Sequence, residues 1–271
     1  MSKTQYSFLF LLLISNLALS SGWKYLNPYP SGQTYRDVYY SEAYGLWLVG
    51  DYGTLISSDD KGESWIIHNL DTESHLYDFE VNQDTYWIVG KNGCVLYSSD
   101  FGKTWNKCPI DYTGSFVKIQ FINSSDAVIL ASDGYIAYTH DAGLTWQLDS
   151  LTFDFQTNYS KWPYTDIYFT SPDTGWLALG YYSFPNLDIS ADSHGALLKT
   201  IDGGQNWIIA DSGFTKYTDI FFLDKKTGWL STTSVNSGFG LFYTSDKGKI
   251  WKKVSSWYDW QKMYFFDFQN G

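Results

Sequence analysis

One eight-residue pattern recurs five times along the chain and constrains its fold more than any other feature. It reads Ser/Thr-x-Asp-x-Gly-x-(Ser/Thr/Asn/Ile)-Trp, and its successive tryptophans lie 40, 41, 61 and 44 residues apart. Such a period is typical of a supersecondary unit that buries its apolar faces only against neighbouring copies. The fixed positions are Ser58, Asp60, Gly62 and Trp65; Ser98, Asp100, Gly102 and Trp105; Thr139, Asp141, Gly143 and Trp146; Thr200, Asp202, Gly204 and Trp207; Thr244, Asp246, Gly248 and Trp251.

Each copy predicts a tight turn between two antiparallel strands. The Asp carboxylate accepts hydrogen bonds from turn N–H groups, and Gly adopts the positive φ that the turn requires. The Trp buries apolar area where the next strand begins. Three strand-like runs precede each turn, as in residues 218–222, 228–230 and 240–243, and one follows it. With 20% aromatic residues, which favour strands, the sequence predicts an all-β propeller of four-stranded blades.

The repeated boxes, with the strands Ile167-Tyr168-Phe169 and Gly175-Trp176-Leu177 before one of them, resemble the photosystem II assembly-factor-like propellers of the BNR/Asp-box group. The resemblance covers Trp23 to Gly271. It implies a propeller that acts as a protein-binding or assembly scaffold. Family members active in the photosystem are expected to use a basic patch, which this acidic chain does not supply, so that particular role is not carried over.

The N-terminus has the pattern of a secretory signal peptide. Lys3 provides a positive start, residues 8–13 begin an apolar run, and Ala18-Leu19-Ser20 resembles a cleavage site. The sequence therefore predicts a signal peptide at 1–20 and a propeller domain at 21–271. The expected location is secreted, periplasmic or at the cell surface, with no stable membrane span after cleavage; an uncleaved anchor is the alternative.

The two ends of the chain predict five complete blades and a split closing blade. Residues 23–26 have the pattern of a last strand, and residues 263–266 that of a first strand. The spacing between tryptophans, 22 residues from Trp65 to Trp87, places the next tryptophan after Trp251 near position 273. We therefore expect a six- or seven-bladed protein whose C-terminal part lies beyond Gly271.

Blade four is about 20 residues longer than the others, and the excess falls in two loops predicted to share one face of the propeller. Long loops on a rigid scaffold are common binding elements. The predicted ligand-binding residues are Tyr159, Trp162, Tyr164, Tyr181, Tyr182 and Phe184. The alternative is that these aromatic side chains cover a small core of the insertion itself. The expected ligand is a protein or a glycan.

Charge and motifs argue against several other functions. The formal net charge is −11, and Arg36 is the only arginine, so nucleic-acid binding and the arginine triad of sialidases are not expected. No nucleophile or metal motif occurs, the histidines are scattered, and the pair Asp188 and Asp192 matches no calcium loop. We therefore predict no enzyme activity, no cofactor and no metal. A glycoside hydrolase of the xyloglucanase kind, of which this chain is one part, remains the alternative.

Cys94 and Cys108 flank the second box symmetrically about Phe101, the centre of its turn. This symmetry places them opposite one another on adjacent strands. In an exported protein such a pair is expected to form a disulfide, with two buried free thiols as the alternative.

Overall fold

The computed structural model describes residues 34–151, 164–180, 195–213, 216–233, 240–255 and 263. They form five four-stranded antiparallel sheets, each a meander in chain order, which confirms the predicted all-β propeller. The blades are β1 Tyr35–Ser41, β2 Gly45–Gly50, β3 Leu55–Ser58 and β4 Ile66–His68; β5 Leu76–Asn82, β6 Thr85–Gly90, β7 Val95–Ser98 and β8 Asn106–Lys107; β9 Phe116–Phe121, β10 Ala127–Ala131, β11 Tyr135–Thr139 and β12 Gln147–Ser150; β13 Tyr164–Phe169, β14 Gly175–Leu179, β15 Gly195–Thr200 and β16 Ile208–Gly213; β17 Lys216–Phe222, β18 Gly228–Thr233, β19 Gly240–Thr244 and β20 Lys252–Ser255.

The hydrophobic core lies between consecutive blades. One cluster joins Trp47 and Val49 of blade one to Phe79 and Ile88 of blade two, and equivalent clusters join each later blade to the next. The second strands are the most deeply buried, since every residue of β10 and β14 is buried. The fourth strands are largely exposed, as in β4 and β20. Each of the three middle sheets thus packs both of its faces against neighbouring sheets, as a propeller requires.

Carboxylates on the first strands tie the blades together. Asp37 Oδ2 accepts the backbone N–H of Phe79 in the next blade at 3.0 Å. The same bond joins Asp78 to Ile119 at 2.8 Å, Asp166 to Ile220 at 2.9 Å, and Asp219 to Met263 at 2.7 Å. In each of these four strands the register shifts at the residue just before the Asp. A β-bulge of this kind turns a side chain out of the regular alternation, and here it accompanies a carboxylate that reaches the adjacent blade.

Blade three departs from this scheme because Lys118 occupies the position of the Asp. Lys118 Nζ donates to Asp78 Oδ1 at 2.9 Å, which pairs it backward with blade two. Gln120 makes the forward link instead: its Oε1 accepts the N–H of Phe169 at 2.6 Å, and its Nε2 donates to the Phe169 carbonyl at 3.1 Å. The substitution therefore changes the chemistry of the link without removing it.

Of the predicted closing blade, the structure describes only residue 263. Its proposed strands at 23–26 and 264–266 lie outside the described residues. Met263 is described, and its backbone N–H bonds to Asp219 as the equivalent N–H groups bond in earlier blades.

Candidate binding face

The two ends of the propeller are built from different connections. The boxes lie between the third and fourth strands of each blade and define one end. The turns between second and third strands, together with the loops that connect one blade to the next, define the other end, which we call the insertion face. The strand ends that flank the two extra segments of blade four, at the start of β13, the end of β14 and the start of β15, are at the insertion face; the segments themselves, 152–163 and 181–194, lie outside the described residues.

The predicted ligand-binding aromatic residues belong to these two segments. Tyr159, Trp162, Tyr181, Tyr182 and Phe184 lie outside the described residues, as do Asp188 and Asp192. Tyr164 begins β13, and its side chain also lies outside what the structure describes. Their role as a binding surface remains a prediction.

At the opposite end, all five boxes have the same hydrogen-bonded geometry. The hydroxyl of the first residue donates to the Asp carboxylate at 2.7 to 2.8 Å and accepts the N–H of the box glycine at 2.7 to 3.0 Å. The same carboxylate also accepts the backbone N–H of the residue four positions after the Asp, at 2.8 to 3.0 Å. Hydrogen bonds from the hydroxyl and the backbone N–H of residues 64, 104 and 145, with those from the first-position hydroxyls, lower the pKa of Asp60, Asp100 and Asp141 to about 2. The boxes therefore hold their turns in one conformation.

At the insertion face, backbone hydrogen bonds tie the turns between second and third strands of blades one and two to the loops that follow. In blade one, Gly53 donates its N–H to the carbonyl of Ser74 at 2.8 Å, which ties the turn to the loop that leads to blade two. Gly93 and Gly114 make the equivalent bond at 2.6 Å one blade later. A Cβ atom on Gly53 would lie 2.1 Å from the Thr72 carbonyl oxygen, so only glycine permits this approach.

The single arginine lies at this face but is already paired. Arg36 donates from Nε and Nη2 to the two carboxylate oxygens of Asp51 at 2.8 and 2.9 Å, and His75 Nδ1 lies 2.7 Å from Asp51 Oδ1. The hydrogen bond from Arg36 is the main reason that the pKa of Asp51 is lowered, while burial opposes it. The guanidinium fork is occupied by the chain's own carboxylate, so it does not supply an open anion clamp.

Tyr52 stands beside this pair at the tip of its turn. Its backbone is left-handed, with φ of 56°, which is uncommon for a bulky residue. The residue is 64% exposed, and its ring centroid lies 4.8 Å from that of His75. Next to it is an open cavity of about 400 Å³, lined by Tyr52, Gly53 and residues 68–73. The lining carries the carboxylates of Asp71 and Glu73.

The first strands of neighbouring blades contact one another and carry a second group of charged residues. Lys118 faces the carboxylates of Asp37, Asp78, Glu80 and Asp166; burial lowers its pKa, but these acids outweigh burial and hold it well above the ordinary value. The pKa of Glu80 is raised to about 8, chiefly by burial, with Asp78 and Asp37 adding to the effect and Lys118 opposing it. Sequence reasoning missed this group, although an Asp followed by an apolar residue recurs at Asp37, Asp78, Asp166 and Asp219.

The two cysteines are free thiols, so the expected disulfide is not formed. Symmetry about Phe101 predicts that Cys94 lies opposite Cys108. In the structure Leu96 lies opposite Lys107 and the Cys108 N–H bonds to the carbonyl of Val95, so the register is shifted by one residue. A shift of one residue moves a side chain to the other face of a sheet. Cys94 accordingly packs between blades one and two, and Cys108 between blades two and three.

The residues that the structure describes also bear on metal binding and membrane insertion. Within it, no three His, Cys, Asp or Glu side chains are grouped so as to hold a metal ion. Among the same residues, no helix has the length and apolar character needed to cross a bilayer.

Five four-stranded blades with an Asp box in each define the chain as an Asp-box β-propeller. A family described as photosynthesis system II assembly factor YCF48 matches residues 15–151. This match spans half of the chain, and the chain therefore belongs to that family, which confirms the resemblance seen in the sequence. No curated protein matches the chain.

Solved structures give the same architecture. YCF48 from Cyanidioschyzon merolae is 16% identical with a TM-score of 0.53, and the match covers 88% of this chain and 91% of that one. The GH74 enzyme of Niastella koreensis is 15% identical with a TM-score of 0.59, covering 78% of this chain and 36% of the enzyme. An ancestral GH74 enzyme is 17% identical with a TM-score of 0.64, covering 87% and 33%. The chain spans about a third of these enzymes, and at such identities the likeness shows the fold alone.

Proposed function

We propose that this chain is an exported, non-catalytic propeller that binds a protein partner at the insertion face and acts as an assembly scaffold. Membership of an assembly-factor family carries the proposal. The signal-peptide pattern at residues 1–20 supports export. The construction of the two ends supports the choice of face, because one end is committed to its repeated boxes while the other receives both insertions of blade four.

Photo-crosslinking from two positions tests the choice of face. Tyr135 begins β11 at the insertion face and is 39% exposed, while Leu144 lies in the third box at the opposite end and is 85% exposed. A benzoylphenylalanine residue at position 135 is expected to crosslink a defined partner in an envelope extract from the source cells, and the same group at position 144 is not. Crosslinking from position 144 alone would overturn the proposed face.

Two further measurements test export and the absence of catalysis. Sequencing of the mature N-terminus is expected to begin at Ser21, and recovery of an uncleaved chain in the cytoplasm would contradict export.

Incubation with xyloglucan oligosaccharides is expected to leave them intact. Hydrolysis would overturn the non-catalytic assignment, and binding to a glycan array without a protein partner would make the chain a carbohydrate-binding propeller.

A further inference from the structure

We infer that the cavity beside Tyr52 binds a lysine or arginine side chain of the partner, with the Tyr52 ring and the carboxylates of Asp71 and Glu73 as the recognition groups. The inference rests on the proposed function, since it names the chemistry of a protein partner at the insertion face. Tyr52 offers an exposed ring at the rim of the cavity, and an aromatic face attracts ammonium and guanidinium groups.

The internal repeat shows which lining residues the fold itself needs. Blade two has a turn of the same shape, in which Asn92 adopts φ of 60° where Tyr52 adopts 56°, and Gly93 repeats the bond of Gly53. The loops that follow have equal length, so Asp71 corresponds to Asp111 and Glu73 to Thr113. An asparagine and a threonine therefore serve the fold equally well at the positions of Tyr52 and Glu73.

Retaining a tyrosine at such a position costs stability. Asn adopts left-handed backbone readily, whereas a bulky residue does not, and strain of this kind is often found at binding sites. The ring does not compensate by burial, because it rests against His75 and is otherwise largely open to solvent. The exposure of the ring and the adjoining cavity together give Tyr52 the position of a contact residue for a ligand.

The charges of the lining select a cation. Asp71 and Glu73 are both exposed, and no Lys or Arg lies among the residues that line the cavity. Its one histidine is His68, whose pKa is lowered by burial, and this shift favours the neutral ring. Arg36 nearby is bound to Asp51. A basic side chain entering the cavity thus meets two carboxylates and an aromatic ring without an opposing charge from the lining.

Fluorescence anisotropy of the mature protein with a labelled peptide of three lysines separated by glycines tests the inference. Tyr52→Asn is expected to weaken binding roughly 3- to 30-fold, and Tyr52→Phe to retain it. Asp71→Asn is expected to weaken binding more than Asp111→Asn, which removes the same charge from the equivalent loop of blade two. Acetylation of the three lysines is expected to abolish binding.

Equal effects of Asp71→Asn and Asp111→Asn, together with unchanged binding by Tyr52→Asn, would show only non-specific attraction to an acidic protein and would overturn the inference. Retained thermal stability of Tyr52→Asn, whose side chain suits this backbone, separates loss of the site from loss of the fold. Partner crosslinking from position 135 would persist if only this inference fails, whereas its loss from the wild-type chain would count against the proposed function itself.

Discussion

Trp47 of blade one lies against Gly102 of the box in blade two, so closely that a Cβ atom on Gly102 would sit 2.5 Å from the ring. The same relationship joins Trp87 to Gly143 and Trp176 to Gly248. Blade three has Val128 at the tryptophan position, and there the hydroxyl of Tyr138 approaches Gly204 instead. The box glycine therefore serves two purposes: it adopts the left-handed backbone of the turn, and its lack of a Cβ atom leaves room for a side chain of the preceding blade.

Replacement of Gly102 by alanine is expected to destabilise the protein by roughly 2 to 4 kcal/mol, because it combines a strained left-handed backbone with overpacking against Trp47. Gly203→Ala is the matched control. Gly203 also has a positive φ, but a Cβ atom there would meet only the Pro172 carbonyl oxygen, at 3.2 Å, and Ala142 occupies the equivalent place in blade three, so we expect a cost of about 1 kcal/mol. Chemical denaturation measures both, and equal losses would contradict the packing argument.

Lys118→Met is expected to cost about 3 kcal/mol, since it leaves the buried carboxylate oxygen of Asp78 without its ammonium partner. Lys103→Met, at an exposed position of the second box, should change stability by less than about 0.5 kcal/mol. The measurement is urea denaturation at pH 7. A neutral or stabilising effect of Lys118→Met would show that the desolvation penalty of this ion pair is at least as large as its electrostatic attraction.

Glu80 should make the protein less stable as the pH rises. Its folded pKa, about 8, lies above the unfolded value, so its favourable contribution is complete below about pH 4 and is lost as the pH rises through about 8. Glu80→Gln is expected to reduce the loss between pH 5 and pH 8.5 by at least about 1.4 kcal/mol, the equivalent of one pKa unit. Parallel stability profiles for the two proteins would refute the shift.

The box carboxylates act in the opposite direction. The pKa of Asp100 is lowered to about 2 by the backbone and side-chain bonds of Thr104 and by the Ser98 hydroxyl. Its contribution is present above the unfolded pKa of about 4 and is lost as the pH falls through about 2. Thr104→Ala removes the bond to Oδ2 and is expected to raise the Asp100 pKa, measured by carboxyl-carbon NMR titration. Thr113→Ala, away from any box, should leave it unchanged.

Both cysteines should titrate as thiols. Burial raises the pKa of Cys94 and of Cys108, so we expect slow reaction with a thiol reagent in the native protein and two equivalents after unfolding. Intact mass should match the reduced chain, and a reductant should not change the melting temperature. A mass lower by two hydrogen atoms with no reactive thiol would establish the bridge instead.

The local sequence pattern predicted the blades, the boxes and the strands that the insertions join, because each of these features depends on residues that are close together in the sequence. Relationships between blades were harder to predict. The approach of Trp47 to Gly102 spans 55 residues, and the carboxylate of Asp37 was not recognised as a link because its partner is a backbone N–H in another blade. The pairing of Cys94 failed through a shift of one residue, which spacing alone does not fix.

The direction of the carboxylate links has a consequence for synthesis. Asp37 in blade one, Asp78 in blade two, Asp166 in blade four and Asp219 in blade five each accept from an N–H group that lies 41 to 54 residues later in the chain. When the chain emerges N-terminus first, from the ribosome or from a membrane channel, the acceptor of one blade therefore precedes the donor that it binds. The geometry favours vectorial folding, in which each blade, once formed, presents the carboxylate to which the next blade binds.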